Sequence, residues 1–355
     1  AIIASIYDSY ASLPAVDTLT FIMATSTNPH QFSWQQTMLR IKDPKVTVPY
    51  YEKNFGFTLI HKYDFPQWNF SLYFMTTLPD GEVGPVPGTK EAEQYLWSMK
   101  GTCLEFTHNH GTENDPDFKV SSGNVAPNRG FGHIAVMTPD VYAASALLEA
   151  EGVQFQKRPD EGKMKGLAFA LDPDGYWVEI VKRSDKSDVT NKFTFAQTMF
   201  RVKDPVKALH FYRDLLGMTL LKESHMGEGT DWGFSLYFLA HISPEEEHLV
   251  GTEEFISRRF GPVIELTHNH NTEHDEAFKY YNGNDQSEEW QVRGFGHVGF
   301  LVQDLDAACA YLGEQGVAFK KKPAEGNMRG LAFAYDPDGY WVEIIQRGGI
   351  SMLDM

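Results

Sequence analysis

The stretch DPDGYWVEI, Asp172–Ile180, occurs a second time without change at Asp336–Ile344. Other segments repeat in the same order: QTMLRIKDP from Gln36 with QTMFRVKDP from Gln197, FSLYF from Phe70 and Phe234, THNH from Thr107 and Thr267, RGFGH from Arg129 and Arg293, and GLAFA from Gly166 and Gly330. Self-similarity at a nearly constant spacing indicates a duplicated structural unit. The sequence therefore predicts a tandem duplication.

Length and composition limit the function classes. The chain has 355 residues, more than one hydrophobic core usually serves, so two domains are expected. A net charge of −17 argues against nucleic-acid and anionic membrane partners, and no apolar run approaches the ~18 residues of a membrane span. The two cysteines, Cys103 and Cys309, are too few for a disulfide framework. We expect a cytoplasmic enzyme or binding protein.

The duplication and the polar stretch between its copies predict the domain organisation. Residues 1–30 contain no Lys or Arg, unlike the start of a secretory signal, and are predicted to form an N-terminal arm. The remaining predicted parts are a first domain at 31–183, a linker at 184–192, a second domain at 193–348 and a C-terminal tail at 349–355.

Local signals predict the order βαβββ twice in each half. Alternating side chains indicate a strand over Trp34–Ile41, and Asp43-Pro44 then begin a helix that ends at Gly56. Pro49 removes a backbone donor from this helix, so we expect a kink or a later start. Further strands are predicted at 58–65, 69–78 and 102–109, and the same order follows from residue 131, with strands near 153, 167 and 176. The chain thus contains four βαβββ modules.

Strand parity predicts which polar side chains share a face. Gln36 shares a face with Arg40, and Glu105 faces away from His108 and His110. Taken alone, a strand glutamate is more often the solvated side of a sheet, and a histidine after Gly-Phe-Gly is more often structural. The set nevertheless recurs in both halves, with the members Gln36, Glu105, His133 and Glu179, and Gln197, Glu265, His297 and Glu343.

The chemistry of this set suits a divalent ion. One imidazole, two carboxylates and an amide oxygen make an oxygen-rich group that can leave positions open for water or substrate. Thiolates are absent from it, which argues against a closed structural zinc site.

Together these motifs resemble glyoxalase I (lactoylglutathione lyase), in the fused tandem form of the vicinal-oxygen-chelate superfamily. QTMLRIKDP, RGFGH, KMKGLAF and DPDGYWVEI carry the resemblance, which runs from about Gln35 to Arg347. It implies an α+β, tandem glyoxalase/bleomycin-resistance fold with four modules in two halves related by a pseudo-twofold axis. It also implies two sites shared between the halves, one with Gln36, Glu105, His297 and Glu343, the other with Gln197, Glu265, His133 and Glu179.

The resemblance further implies isomerisation of the methylglyoxal-glutathione hemithioacetal to S-D-lactoylglutathione, with one divalent ion at each site. A proton must move between adjacent carbons, so the resemblance makes Glu179 and Glu343 the principal bases, and Glu105 and Glu265 ligands and second acid-base partners. Resemblance to long eukaryotic-type members favours zinc over nickel, cobalt or manganese. A monomer is expected because the duplication supplies the interface that other members obtain by dimerising.

Glutathione carries two carboxylates, which Arg and Lys can bind by charge-assisted hydrogen bonds. The residues implied for this task, with the methionines beside the mobile loop, are Arg40, Asn109, Arg129, Lys157, Lys163, Met164, Arg201, Asn269, Arg293, Lys321 and Met328. One departure is visible, since EGKMKG from Glu161 reads EGNMRG from Glu325, which puts Asn327 in place of Lys163. The two sites are therefore predicted to differ in affinity.

Three alternatives stay open at this stage. One is another metal-dependent enzyme of the same superfamily, such as an extradiol dioxygenase or a coenzyme-A epimerase, although Gln36 and Gln197 argue against the two-histidine iron site of the former. The second is a noncatalytic module that sequesters a ligand. The third is a lyase with one working and one degenerate site. The eight candidate ligands favour two competent lyase sites.

Overall fold

The computed structural model describes residues 28–230, 233–252, 254–287, 292–326, 328 and 330–348. The predicted tail, Asn327 and all but the last three residues of the predicted arm lie outside these ranges. The described strands are β1 Ser33–Ile41, β2 Thr58–Phe65, β3 Phe70–Thr76, β4 Cys103–Asn109, β5 Phe131–Thr138, β6 Phe155–Lys157, β7 Ala168–Leu171, β8 Trp177–Lys182, β9 Thr194–Arg201, β10 Thr219–Met226, β11 Phe234–Ala240, β12 Val263–Asn269, β13 Phe295–Val302, β14 Phe319–Lys321, β15 Leu331–Tyr335 and β16 Trp341–Gln346. The α-helices are α1 Pro44–Phe55, α2 Lys90–Ser98, α3 Val141–Ala150, α4 Pro205–Leu209, α5 Phe255–Arg258 and α6 Leu305–Glu314.

The strands form two eight-stranded sheets, each shared between the halves of the chain. One has the order β14-β15-β16-β13-β1-β4-β3-β2 and the other β10-β11-β12-β9-β5-β8-β7-β6. The first module of each half thus pairs with the second module of the other half, through β1 with β13 and β9 with β5. The α+β class and the duplicated architecture of the predicted fold are confirmed.

The two sheets share a core at the centre of the molecule. Thr37 on β1 and Thr198 on β9 are fully buried, and their hydroxyl oxygens lie 2.8 Å apart. The rings of Phe131 and Phe295 stack with centroids 5.2 Å apart. Because equivalent residues of the two halves meet here, neither half encloses its core alone.

The first helix begins where its capping signal predicts. The Asp43 side chain accepts a hydrogen bond from the Lys45 amide, and Gly56 ends the helix with a positive φ of 66°. The expected later start is wrong, because α1 begins at Pro44 and includes Pro49. Proline has no amide hydrogen, so α1 lacks the hydrogen bond from residue 49 to the carbonyl four residues earlier. The other backbone hydrogen bonds keep the helix continuous.

The other differences between the predicted and the observed elements are small. The strand expected near residue 153 begins at Phe155, because Val153 still belongs to the turn that follows α3. α2, inserted between β3 and β4, was not predicted. No helix among the described residues has the length and apolar character that crossing a membrane requires.

The repeated DPDG turn joins the two modules of one half. Asp174 accepts hydrogen bonds from the Lys42 amide and the Thr47 hydroxyl, both at 2.7 Å, at the start of α1. Tyr51 of α1 donates to Asp172 at 3.0 Å. In the second half Asp338 accepts from the Lys203 amide and Asp336 from Tyr212, both at 2.9 Å. The turn is therefore a structural clamp, which explains its recurrence.

Candidate functional site

Four neighbouring strands of one sheet present the first set of polar side chains on one face. We call Gln36, Glu105, His297 and Glu343 the first centre. They lie on β1, β4, β13 and β16, and all four are at least 94% buried. Met38 pairs with both Glu105 and His297, and Gly299 pairs with both Gln36 and Glu343. This register places the four side chains around one point.

The side chains of the first centre touch one another. The Gln36 amide nitrogen lies 2.5 Å from Glu105 Oε2 and 2.7 Å from Glu343 Oε2. His297 Nε2 lies 3.1 Å from Glu343 Oε2. The Gln36 amide oxygen is buried and has no hydrogen-bond partner among the described residues. A rotation of this amide would exchange its oxygen and nitrogen and turn an acceptor toward a cation held by the other three groups.

The second sheet carries an equivalent group, which we call the second centre: Gln197, Glu265, His133 and Glu179. The Gln197 amide nitrogen lies 2.6 Å from Glu265 Oε2 and 2.7 Å from Glu179 Oε2. His133 Nε2 is 3.2 Å from Glu179 Oε2. In each centre the ligand atoms of the histidine and the two glutamates lie within 4.8 Å of one another. The structure thus brings together the two predicted sets, each drawn from both halves.

Burial and charge make both centres receptive to a cation. Burial raises the pKa of Glu105 and Glu265, and the nearby histidine opposes this shift. Burial lowers the pKa of His133 and His297, but the adjoining carboxylates more than offset it, and the pKa of each imidazole rises to about 9. A divalent ion fits this set of two buried carboxylates and one imidazole. Its two positive charges would replace the proton that the histidine and the glutamates share.

The histidines of the THNH repeat serve the opposite face, as parity predicts. His108 Nε2 lies 2.9 Å from Glu113 Oε2, and His110 Nε2 lies 2.7 Å from the Ser71 hydroxyl. Neither belongs to a group of described residues that could hold an ion.

Arg40 and Arg201, which the resemblance implies for glutathione binding, donate hydrogen bonds to backbone carbonyls. Arg40 donates to the carbonyls of Gly294 and Phe295, both at 3.2 Å, and to the Asn284 side chain at 2.8 Å. Arg201 makes the same contacts with Gly130, Phe131 and Asn124. Each arginine therefore holds the glycine-rich turn that precedes the histidine of its own centre, a structural task that the sequence did not reveal.

Of the remaining residues predicted for glutathione, Lys321 and Lys157 lie close enough to Glu343 and Glu179 for their charges to interact. Lys321 and Lys157 donate to the carbonyls of Leu331 and Leu167 at 2.8 and 2.6 Å. Burial and the positive charges of Arg293 and Arg129 lower the pKa of Arg40 and Arg201. The Asn269 amide donates a hydrogen bond to the Tyr280 hydroxyl, and Met328 and Met164 pack on apolar clusters. Asn109 and Lys163 are exposed.

Sequence reasoning missed a set of side chains on the two strands next to Glu105 in the first centre and next to Glu265 in the second. In the register Phe74 pairs with Glu105, and Phe238 pairs with Glu265. We call the same-face residues of β3 from Phe74 back to Phe70, with their partners on β2, the first wall, and those of β11 from Phe238 back to Phe234, with their partners on β10, the second wall. The first wall is His61, Tyr63, Phe65, Phe70, Leu72 and Phe74, and the second is Lys222, Ser224, Met226, Phe234, Leu236 and Phe238. Parity within the repeated FSLYF segments was the available signal.

Comparison with known proteins agrees with this architecture. The profile of the Glyoxalase/Bleomycin resistance protein/Dioxygenase superfamily matches residues 33–180 and 194–344. The chain is 39% identical over 325 residues to the glyoxalase I of Saccharomyces cerevisiae, covering 89% of this chain and 92% of the relative. It is 38% identical over 328 residues to the lactoylglutathione lyase of Schizosaccharomyces pombe, covering 92% and 100%.

A solved structure shares the fold. The crystal structure of glyoxalase I from Zea mays is similar with a TM-score of 0.62 at 23% identity, covering 89% of this chain and 92% of that one. The chain belongs to the glyoxalase I (lactoylglutathione lyase) family, within the Glyoxalase/Bleomycin resistance protein/Dioxygenase superfamily.

Proposed function

We propose that this chain is a metal-dependent lactoylglutathione lyase with two active centres. It isomerises the hemithioacetal of glutathione and methylglyoxal to S-D-lactoylglutathione and so detoxifies methylglyoxal. The relatives from the two yeasts, named glyoxalase I and lactoylglutathione lyase, support the activity. The observation that carries the proposal is the pair of buried glutamine, histidine and two-glutamate sets, each assembled from both halves.

One divalent ion per centre is held by the four side chains of that centre. We propose zinc, although the donor set also accepts nickel, cobalt or manganese. When bound, the ion stabilises the negative charge that develops on the two oxygens of the substrate. The unpartnered amide oxygen of Gln36 supports an ion at the first centre, because burial without a partner is costly for that atom.

The glutamates move the proton. Glu343 in the first centre and Glu179 in the second remove it from one carbon of the hemithioacetal and return it to the adjacent carbon. Glu105 and Glu265, on the other side of each centre, are ligands and second acid-base partners. Burial raises the pKa of both of these carboxyls, which brings them closer to the range in which a group can both accept and donate a proton.

The glutathione part of the substrate is bound by cations around each centre. Arg40 and Arg293 lie close enough for their charges to interact beside the first centre, as do Arg201 and Arg129 beside the second. Such a concentration of positive charge in a chain of net charge −17 supports a site for carboxylates. Asn109, Asn269, Lys157, Lys163 and Lys321, with Met164 and Met328, complete the proposed contacts.

The working form is proposed to be a cytoplasmic monomer. Pairing of β1 with β13 and of β9 with β5 supplies within one chain the contact between modules that completes both centres. A second copy is therefore not needed to assemble a site.

The first test is thioester formation from methylglyoxal and glutathione, followed by ultraviolet absorbance. Protein stripped with a chelator should be inactive and should recover when zinc or nickel is returned. No activity with ions still bound would favour another metal-dependent enzyme of the superfamily. No activity and no bound ion would favour a ligand-sequestering module.

A further inference from the structure

The two walls differ in how far they are open to solvent. In the first wall every member is buried except Phe70, which is half-buried, and the exposure of Tyr63 is 2% and that of Phe74 is 1%. In the second wall every member is half-buried instead, including Ser224 and Phe238. The ligands of the two centres are buried to nearly the same degree, so the walls differ in exposure where the ligands do not.

Two large aromatic side chains close the first wall and have serines as counterparts in the second. Trp97 of α2 donates to the Tyr63 hydroxyl at 2.8 Å, and Tyr63 donates to Glu93 at 2.7 Å. Ser224 occupies the register position of Tyr63, since it pairs with Leu236 as Tyr63 pairs with Leu72.

The counterpart of Trp97 is Ser257, which is identified by the backbone. The Trp97 carbonyl accepts from the Gly348 amide, and the Ser257 carbonyl accepts from the Ser184 amide at the equivalent place of the other half. The second wall therefore lacks both the indole and the phenol that fill the first.

The walls stand where the substituent of a bound 2-oxoaldehyde would lie. Phe74 and Phe238 are the cross-strand neighbours of Glu105 and Glu265, so the walls begin one strand away from the reacting carbons. The residues proposed to bind glutathione lie on other strands and loops, and the two that pair with a wall, Asn109 and Asn269, meet it at Phe70 and Phe234, the ends farthest from the glutamates. We assign the inner end of each wall, beside Phe74 or Phe238, to the substituent that comes from the aldehyde.

We propose that the second centre accepts adducts of 2-oxoaldehydes with bulky, aromatic substituents, and that the first centre excludes them. The inference rests on the proposed lyase function. A close-packed wall tied by the Trp97 and Tyr63 hydrogen bonds yields to extra volume only at a cost in strain. A bulky apolar substituent at the second centre instead covers partly exposed apolar surface of Leu236 and Phe238 and gains hydrophobic free energy.

Variants with only one working centre allow the substrate preference of each centre to be measured separately. Glu343→Gln leaves the second centre working and Glu179→Gln leaves the first. Each is assayed for thioester formation with the glutathione adducts of methylglyoxal and of phenylglyoxal. The ratio of kcat/KM for phenylglyoxal to that for methylglyoxal should be at least about tenfold higher in Glu343→Gln than in Glu179→Gln.

Placing the tyrosine of the first wall at the equivalent position of the second wall tests the role of the wall directly. In the Glu343→Gln background, Ser224→Tyr should lower the phenylglyoxal to methylglyoxal ratio by about tenfold. Glu223→Tyr adds the same side chain at an exposed position on the opposite face of the same strand and should leave the ratio unchanged. Thermal unfolding of both variants establishes that they are folded.

The outcomes distinguish the two claims. Turnover of methylglyoxal with equal ratios in the two single-centre variants, or a ratio that Ser224→Tyr leaves unaltered, overturns the division of substrates while the lyase function stands. Absence of thioester from the unmodified chain with either aldehyde overturns the lyase function and this inference with it.

Discussion

The glutamine of each centre packs against a small residue on the neighbouring strand. A Cβ atom added at Gly299 would lie 2.5 Å from Cγ of Gln36, closer than two carbons can approach. The equivalent neighbour of Gln197 is Ala135, which is fully buried and accommodated there. The two amides are therefore held by different surroundings although their contacts with the glutamates match.

Gly299→Ala should displace Gln36 and weaken ion binding at the first centre alone. Metal content measured after purification should fall from about two ions to about one ion per chain. Ala135→Gly is the matched control, since it removes a methyl group without crowding Gln197. Equal metal content in Gly299→Ala and the unmodified chain would contradict the proposed part of Gln36 in the ligand set.

The proposed bases are tested by removing their charge and keeping their shape. Glu179→Gln and Glu343→Gln should each abolish one centre, because loss of a general base costs about 10² to 10⁴ in rate. With methylglyoxal the double variant should lose nearly all activity, whereas each single variant retains that of the other centre. Complete loss in either single variant would show that the centres do not work independently.

Among the elements, the DPDG turn should make the free energy of unfolding depend on pH. Burial and then the Asp174 carboxylate raise the pKa of Asp172 to about 8, whereas an aspartate in an unfolded chain has a pKa of about 3.9. The unfolded state therefore loses its proton at lower pH than the folded state. The stabilisation from Asp172 is complete below about pH 4 and is lost as pH rises toward 8.

Asp172→Asn should make the free energy of unfolding less dependent on pH in this interval. Burial also raises the pKa of Asp336, the equivalent residue of the second half, so part of the dependence should remain. Urea unfolding at about pH 5 and about pH 8 measures the slope for both proteins. A slope that the substitution leaves unaltered would mean that Asp172 is already ionised in the folded protein at the lower pH.

At the scale of the whole molecule, strand pairing between the halves should hold the protein together without the linker. β1 pairs with β13 and β5 pairs with β9, and one apolar cluster contains residues of both halves. A protease site placed at the exposed Asp188 tests this. After cleavage the two fragments should elute together in size-exclusion chromatography and keep their activity. Separate elution of folded fragments would contradict the shared architecture.

The ligand residues were accessible from the sequence because parity and repetition are local properties. Gln36 and Glu105 could be assigned to faces from strand alternation, and the duplication supplied their counterparts. The resemblance also predicted that His297 joins the first half and His133 the second, and the observed sheets have this pairing. Helix caps such as Asp43 were equally predictable, since their hydrogen bonds span only a few residues.

Only the tertiary structure decided what depends on contacts between distant segments. Arg40 binds the turn before His297, more than 250 residues away, and the repeated DPDG turn clamps a helix of another module. Tyr63 and Trp97 close one wall while Ser224 and Ser257 leave the other open, although both halves descend from the same pattern. Sequence periodicity specifies the direction of a side chain, whereas its burial and partners are set by the elements that pack over it.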